Sequence, residues 1–367
     1  MVCLLAFWAP PAFGQERILN VLGWNDYIDP DVIMAFTEET GVRVTYDSYT
    51  SDAALEKSLA TGSFDVVMVS APTLAKQLAR GVYLKLDQTR LPNRTYLWPA
   101  IMELLSTYDT GNRFAVSYMW FTLGIAYNLD KIREAGETAT PRRASARPVA
   151  SPTLDSWSVL FKRDSLRKFS NCGVGLIDSP ENLLAVARRY LWSDWSSADG
   201  LSHETDLKRA GDMLGAVLRD VRKISLSNYV AALANGEICL AIGYSLDSYR
   251  ARDQAREAKN GVEITYVIPR EGAPVLIDSL AIVKGAPHVA EAYQFLNFLM
   301  RPDIAARNTG FTHSANGVLA SKPLVDKTIA ADKAIYPDAA LVERLFVPEK
   351  TRAPTQDAFL REWARMK

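Results

Sequence analysis

Short apolar runs alternate with helix-spaced segments through residues 17–80, and this rhythm constrains the fold more than any other feature of the chain. RILNVL (17–22) reads as a strand. Asp29-Pro30 opens a helix, with Asp as its cap and Pro in its first turn. Val32, Ile33 and Phe36 continue at helical spacing, and Gly41 stands where a helix ends on a left-handed residue. Val42, Val44 and Tyr46 alternate as a second strand, and Leu55 and Leu59 mark a second helix before Gly62. FDVVMV (64–69) is a short, largely apolar run of the kind found in a buried parallel strand. Ser70-Ala71-Pro72 then turns into a helix carrying Leu74 and Leu78. A βαβαβ series of this kind predicts an open α/β sheet covered by helices. In such sheets the loops leaving the C-terminal ends of the strands border the ligand crevice. Here those loops carry Trp24 to Tyr27, and Ser70.

At 367 residues the chain exceeds one ordinary core, so two domains or one large one are expected. Helical spacing returns at Leu183, Val186 and Leu191, and at Leu207, Met213, Leu214 and Leu218. ICLAI (238–242), 262–268 and 275–283 read as strands, and 290–300 as an amphipathic helix stopped near Arg301-Pro302. Residues 138–153 (TATPRRASARPVASPT) have neither period and read as an exposed insertion.

Residues 1–14 (MVCLLAFWAPPAFG) are apolar and end in a small-x-small pattern, so they read as a secretory signal peptide without its usual positive start. No other run approaches the ~20 apolar residues of a membrane span. Cys3 would leave with the leader. Cys172 and Cys239 remain, and in an oxidising compartment a disulfide between them is expected, two buried thiols being the alternative. The 42 basic and 42 acidic residues balance, with no basic stripe to suggest nucleic acid. There is no phosphate-binding loop and no dinucleotide fingerprint, and His203, His288 and His313 are scattered. No enzyme activity, cofactor or metal is expected.

Six ordered stretches together resemble the periplasmic putrescine- and spermidine-binding proteins of bacteria, closest to the putrescine branch. They are GWNDYIDPDV (23–32), FDVVMVSA (64–71), YMWFTLGIAYNLDKI (118–132), LANGEICLAIGYSLD (233–247), REAKNGVEITYVIPREGA (256–273) and EAYQFLNFLMRPD (291–303). The resemblance implies a type II periplasmic binding fold: two α/β lobes, a hinge of two strand crossovers and a ligand cleft between them. It divides the chain into residues 15–123 plus 248–305 for the first lobe and 124–247 plus 306–367 for the second.

Carried over residue by residue, the resemblance implies ligand contacts at Trp24, Asn25, Asp26, Tyr27, Ser70, Asn182, Tyr244, Asp247, Leu276 and Asp278. Three positions depart from the family pattern: Asn182 stands where many members have a glutamate, Tyr244 replaces a tryptophan and Leu276 an aromatic. His313 lies near a family tyrosine. The chemistry is consistent. Each ammonium of a buried diamine needs a carboxylate or acceptors, because an unpaired buried charge is very costly. Asp26, Asp247 and Asp278 supply carboxylates, and Trp24, Tyr27 and Tyr244 supply walls for the methylenes and cation–π contacts of about 0.5–2 kcal/mol each.

The resemblance further implies a periplasmic monomer that delivers its ligand to an inner-membrane ABC permease with a cytoplasmic ATPase. The same site would serve a periplasmic polyamine sensor, or a receptor for another organic cation such as agmatine. An enzyme on this scaffold lacks motif support, and a receptor for anions would need arginines where the aspartates stand.

Overall fold

The structure, a computed structural model, describes residues 17–138, 154–192, 203–225, 227–348 and 353–366. The leader reading (1–14) and nearly all of the expected insertion (138–153) lie outside the described residues.

Ten strands form two half-sheets that share one strand. The first half orders β2 (Arg43–Tyr49), β1 (Ile18–Trp24), β3 (Val66–Ser70), β9 (Val275–Ile282) and β4 (Ala115–Asn128). The second orders β4, β7 (Leu240–Tyr244), β5 (Val174–Ile177) and β6 (Lys223–Ser225), with β8 (Ile264–Val267) also on β4. The short β10 (Ala315–Asn316) returns to pair with β4 inside the first half. As expected, β1, β2 and β3 are parallel and joined by helices, Pro30–Thr40 and Asp52–Thr61. The Asp29 side chain accepts from the backbone N–H of Asp31, and Gly41 closes the helix at φ 68°, a left-handed conformation that a glycine adopts without penalty. Phe36 is fully buried and meets Phe295 and Phe298 edge-on at 5.0 and 5.2 Å, which binds the first helix to Val289–Leu299.

β4 explains how the halves face each other. Its first part pairs with β9 and its second with β7 and β8. β9 runs antiparallel to both β3 and β4, so β3 and β4 point the same way. β7 runs antiparallel to β4, so β7 and its parallel neighbour β5 point back. The C-terminal ends of β3 and β7 therefore converge on the middle of β4, where the crevice of two such sheets must lie. The expected lobe boundary at 123/124 falls inside β4. Those after residues 247 and 305 fall inside the helices Ser245–Ala258 and Pro302–Thr312.

Cys172 and Cys239 form a disulfide with their Cα atoms 5.4 Å apart. It sits at the N-terminal ends of β5 and β7, whose register pairs Val174 with Leu240. Among the described residues, no helix is long and apolar enough to cross a membrane.

Candidate ligand-binding site

The register fixes which side chains meet. Ser70 ends β3 opposite Asp278 of β9, and Asp278 stands opposite Met119 of β4. Leu276 faces Phe121, and Leu123 faces Tyr244 at the end of β7. Opposed residues in antiparallel pairs share a face, as do residues two apart on one strand. Ser70, Asp278, Leu276, Phe121 and Tyr244 thus project from one face in a row that crosses from one half-sheet to the other. Met119 to Leu123 spans about 13 Å at ~3.3 Å per residue.

Asp278 anchors one end. It is buried, and its Oδ2 accepts a 2.6 Å hydrogen bond from the hydroxyl of Tyr27. Tyr27 is held in turn by Tyr118, whose hydroxyl donates to the Tyr27 carbonyl at 2.8 Å and whose ring meets Tyr27 edge-on at 5.8 Å. Trp24 leans on Tyr49 at 4.3 Å, and its carbonyl accepts from the Tyr46 hydroxyl at 2.5 Å. The buried indole N–H of Trp24 makes no well-formed hydrogen bond, although it lies near enough to favour the ionised carboxylate of Asp278. Burial is the largest influence on Asp278 and pushes its pKa up to about 6; Tyr27 and Trp24 pull it down, and the charge of Asp52 adds to the rise. Among the described residues no ion pair to Asp278 is found. Among those residues it is a buried carboxylate lacking a counter-ion.

Ser70 is half-buried beside it at the N-terminus of the helix Ala71–Leu78, where its side chain makes no capping bond, so the hydroxyl is not committed to the helix. Asn25 and Asp26 are exposed, and the Asn25 amide donates to Asp26 at 2.5 Å. Asp26 has φ 52°, a left-handed conformation that Asp tolerates better than most residues.

The other end is built around Asp247, in the first turn of Ser245–Ala258, where the positive end of the helix favours an anion. Asp247 is buried, accepts from the hydroxyl of Tyr229 and lies 3.5 Å from the Arg250 guanidinium. Burial raises its pKa, opposed by Tyr229 and Arg250. The Tyr229 hydroxyl also accepts the backbone N–H of Tyr244 at 3.2 Å, so one phenol ties the end of β7 to Asp247. The Tyr244 ring is partly exposed and stands edge-on to Phe121 at 5.2 Å, while its hydroxyl accepts from the Asn182 amide at 3.1 Å.

Gly243 leaves room for this arrangement. A Cβ there would lie 2.5 Å from the Tyr229 hydroxyl and overlap its ring, which is 2% exposed and has nowhere to go. Gly243→Ala should therefore lower the unfolding free energy by about 1–3 kcal/mol through overpacking. It should also loosen Asp247. A urea midpoint equal to the parent's would show that Tyr229 is not wedged as described.

Trp24, Tyr27, Ser70 and Asp278 lie around one end of this row, Leu276 stands next along it opposite Phe121, and Asn25 and Asp26 are exposed in the turn between Trp24 and Tyr27. Asn182, Tyr244 and Asp247 form the other end. His313 stacks on Tyr249, 3.9 Å between centroids. Sequence reasoning missed Phe121, Tyr229 and Arg250. Phe121 lies within the 118–132 block but carried no separate signal; Tyr229 and Arg250 matter only through contacts made by folding. Among the described residues, no His, Cys, Asp and Glu cluster could hold a metal ion.

Comparison with known proteins gives a consistent picture. A family model described as bacterial extracellular solute-binding protein matches residues 31–337. The putrescine-binding periplasmic protein SpuD of Pseudomonas aeruginosa is 40% identical over 360 residues, 96% of this chain and 93% of the relative. The putrescine-binding periplasmic protein PotF of Escherichia coli is 37% identical over 357 residues, 96% and 92% respectively. Among solved structures, the spermidine/putrescine ABC transporter substrate-binding protein PotD of Streptococcus pneumoniae superposes with a TM-score of 0.79 at 22% identity, covering 95% of this chain and 98% of that one. The fold anticipated from the sequence is the fold of that protein.

Proposed function

Because the chain belongs to the bacterial extracellular solute-binding proteins, we propose that it captures a putrescine-like diamine or polyamine in the periplasm and delivers it to an inner-membrane ABC permease. Like its relatives it is a solute receptor and not an enzyme. The observation that carries the ligand reading is Asp278: a carboxylate buried against the Tyr27 hydroxyl, with no counter-ion among the described residues. A primary ammonium supplies the missing charge, and the hydroxyl of Ser70 gives it a further acceptor.

The dimensions agree. An extended four-carbon diamine is on the order of 6 Å between nitrogens. With a hydrogen bond of about 2.8 Å at each end it spans about 12 Å, close to the backbone separation of Met119 and Leu123, the strand positions opposite Asp278 and Tyr244. Its methylenes would pass Leu276, Phe121 and Tyr244. We assign Asp278 and Ser70 to the first lobe and Asp247, Asn182 and Tyr244 to the second. β10 and the helix Pro302–Thr312 go with the first lobe, and Ser245–Ala258 with the second. A ligand held by both ends then favours the closed arrangement by bridging them.

Calorimetric titration with putrescine at several pH values tests this reading. Only the ionised form of Asp278 pairs with an ammonium, and its pKa in the free protein is about 6. The ionised fraction falls from about nine-tenths at pH 7 to one-tenth at pH 5, so the apparent affinity should fall about tenfold over that range. The raised pKa of Asp247 acts in the same direction. Above pH 7 the affinity should level off. Equal affinity at pH 5 and 7 would remove Asp278 as the cation acceptor.

A further inference from the structure

The two ends of the row carry different charge. At Asp278 the bonded partner is the neutral Tyr27 hydroxyl, and among the described residues no cationic side chain reaches it. At the other end the Asp247 carboxylate already accepts from Tyr229 and faces Arg250 at 3.5 Å. At the same end stands Asn182, a neutral amide bonded to Tyr244, and the neighbouring Glu181 is exposed, so its charge reaches Tyr244 screened by solvent. The Asn182 Nδ2 donates to the Ser179 hydroxyl at 2.8 Å and to Tyr244 at 3.1 Å. Both amide hydrogens are thereby used, and the amide oxygen remains as an acceptor. Asn182 and Tyr244 are each partly exposed, so both remain open to a ligand.

A second ammonium entering here meets a carboxylate shared with a guanidinium, and Arg250 repels it. A neutral amide or urea meets a better match. Its N–H donates to the Asn182 oxygen and its carbonyl accepts from a hydroxyl at this end, with no charge to desolvate. We propose that the site binds mono-N-acylated diamines, with one ammonium on Asp278, an alkyl spacer along Leu276 and Phe121 and a terminal amide or urea at Asn182 and Tyr244, about as tightly as free diamines. Arg250 and Asn182 are then the residues that set how much ligand charge the second end accepts. The inference rests on the reading of this row as a diamine site.

The test is isothermal titration of the intact protein with putrescine, N-acetylputrescine and n-butylamine. N-acetylputrescine should bind within tenfold of putrescine, and n-butylamine, which has the ammonium but nothing for the far end, more than tenfold weaker than either. Asn182→Glu should shift the preference toward putrescine by at least tenfold, because it restores a carboxylate unshared with arginine. N-acetylputrescine binding more than tenfold weaker than putrescine in the parent would overturn the inference and leave the diamine receptor standing. An unchanged preference in Asn182→Glu would also overturn it. Failure of both putrescine and N-acetylputrescine to bind would overturn the receptor reading and the inference together.

Discussion

Asp278→Asn is expected to weaken putrescine binding about 100-fold while leaving the ligand-free protein at least as stable as its parent. The first half follows from charge. Asparagine keeps the shape and an acceptor for Tyr27, but it leaves a buried ammonium without a counter-ion, which costs about 3 kcal/mol or more. The second half follows from linkage. Burial raises the pKa of Asp278 to about 6 in the folded protein, against about 3.9 in an unfolded chain. Between those values the native state holds more protons than the unfolded state, so this group makes stability fall as pH rises from about 4 to 6. Above pH 6 the whole cost is present, on the order of 2–3 kcal/mol. Asparagine removes it. Asp26→Asn should behave differently: Asp26 is exposed and bonded to Asn25, and an exposed charge contributes about 0–1 kcal/mol. Its affinity loss should stay below tenfold. Titration and urea unfolding at pH 7.5 read both quantities. An Asp278→Asn protein that bound normally, or that bound weakly only because it had unfolded, would contradict the account.

Breaking the disulfide should do the reverse, with a large loss of stability and little change in binding. Cys172 and Cys239 are 67 residues apart, and a closed loop of that size restricts the unfolded chain by about 4 kcal/mol in the chain-entropy estimate. Cys239 is also fully buried, so Cys172→Ala with Cys239→Ala gives up some packing as well. For a lobe of this size the loss corresponds to a melting temperature roughly 10 °C lower. The bond ties the N-terminal ends of β5 and β7, whereas Tyr244 and Asp247 lie at and beyond the C-terminal end of β7. Below the melting transition, putrescine affinity should therefore stay within about threefold of the parent. A melting temperature that did not move would mean that the loop constraint contributes little here. A large affinity loss in folded protein would mean that strain at the strand starts reaches the site.

Much of the first half-sheet was legible because its signals are local. Asp29-Pro30 and Gly41 bracket a helix by backbone chemistry alone, and FDVVMV is buried on both faces. β4 was not read as a strand, although it is the element on which both half-sheets converge. AVSYMWFTLGIAYN is buried along almost its entire length, and a strand covered on both faces shows no alternation to betray it. The boundary at 123/124 that the resemblance implied falls within this shared strand, close to where its pairing passes from β9 to β7. Asp26, Asp247 and Asp278 looked equivalent as letters. Topology separates them, leaving the first in a solvent-facing turn and placing the other two beneath tyrosine hydroxyls contributed by Tyr229 and Tyr27. Those tyrosines are 18 and 251 residues away along the chain, and no spacing rule connects them to their aspartates. The even pair of cysteines in an exported chain predicts the disulfide, and the adjacency of β5 and β7 is what brings the two sulfurs together.

The most direct measurement is a crystal structure of the protein with putrescine. One ammonium nitrogen should lie within about 3 Å of an Asp278 carboxylate oxygen, with Tyr27 still donating to the same group and the methylenes running past Phe121 toward Tyr244. Putrescine bound elsewhere, with Asp278 contacting only Tyr27 and Trp24, would contradict the assignment of this buried carboxylate as the seat of the cation.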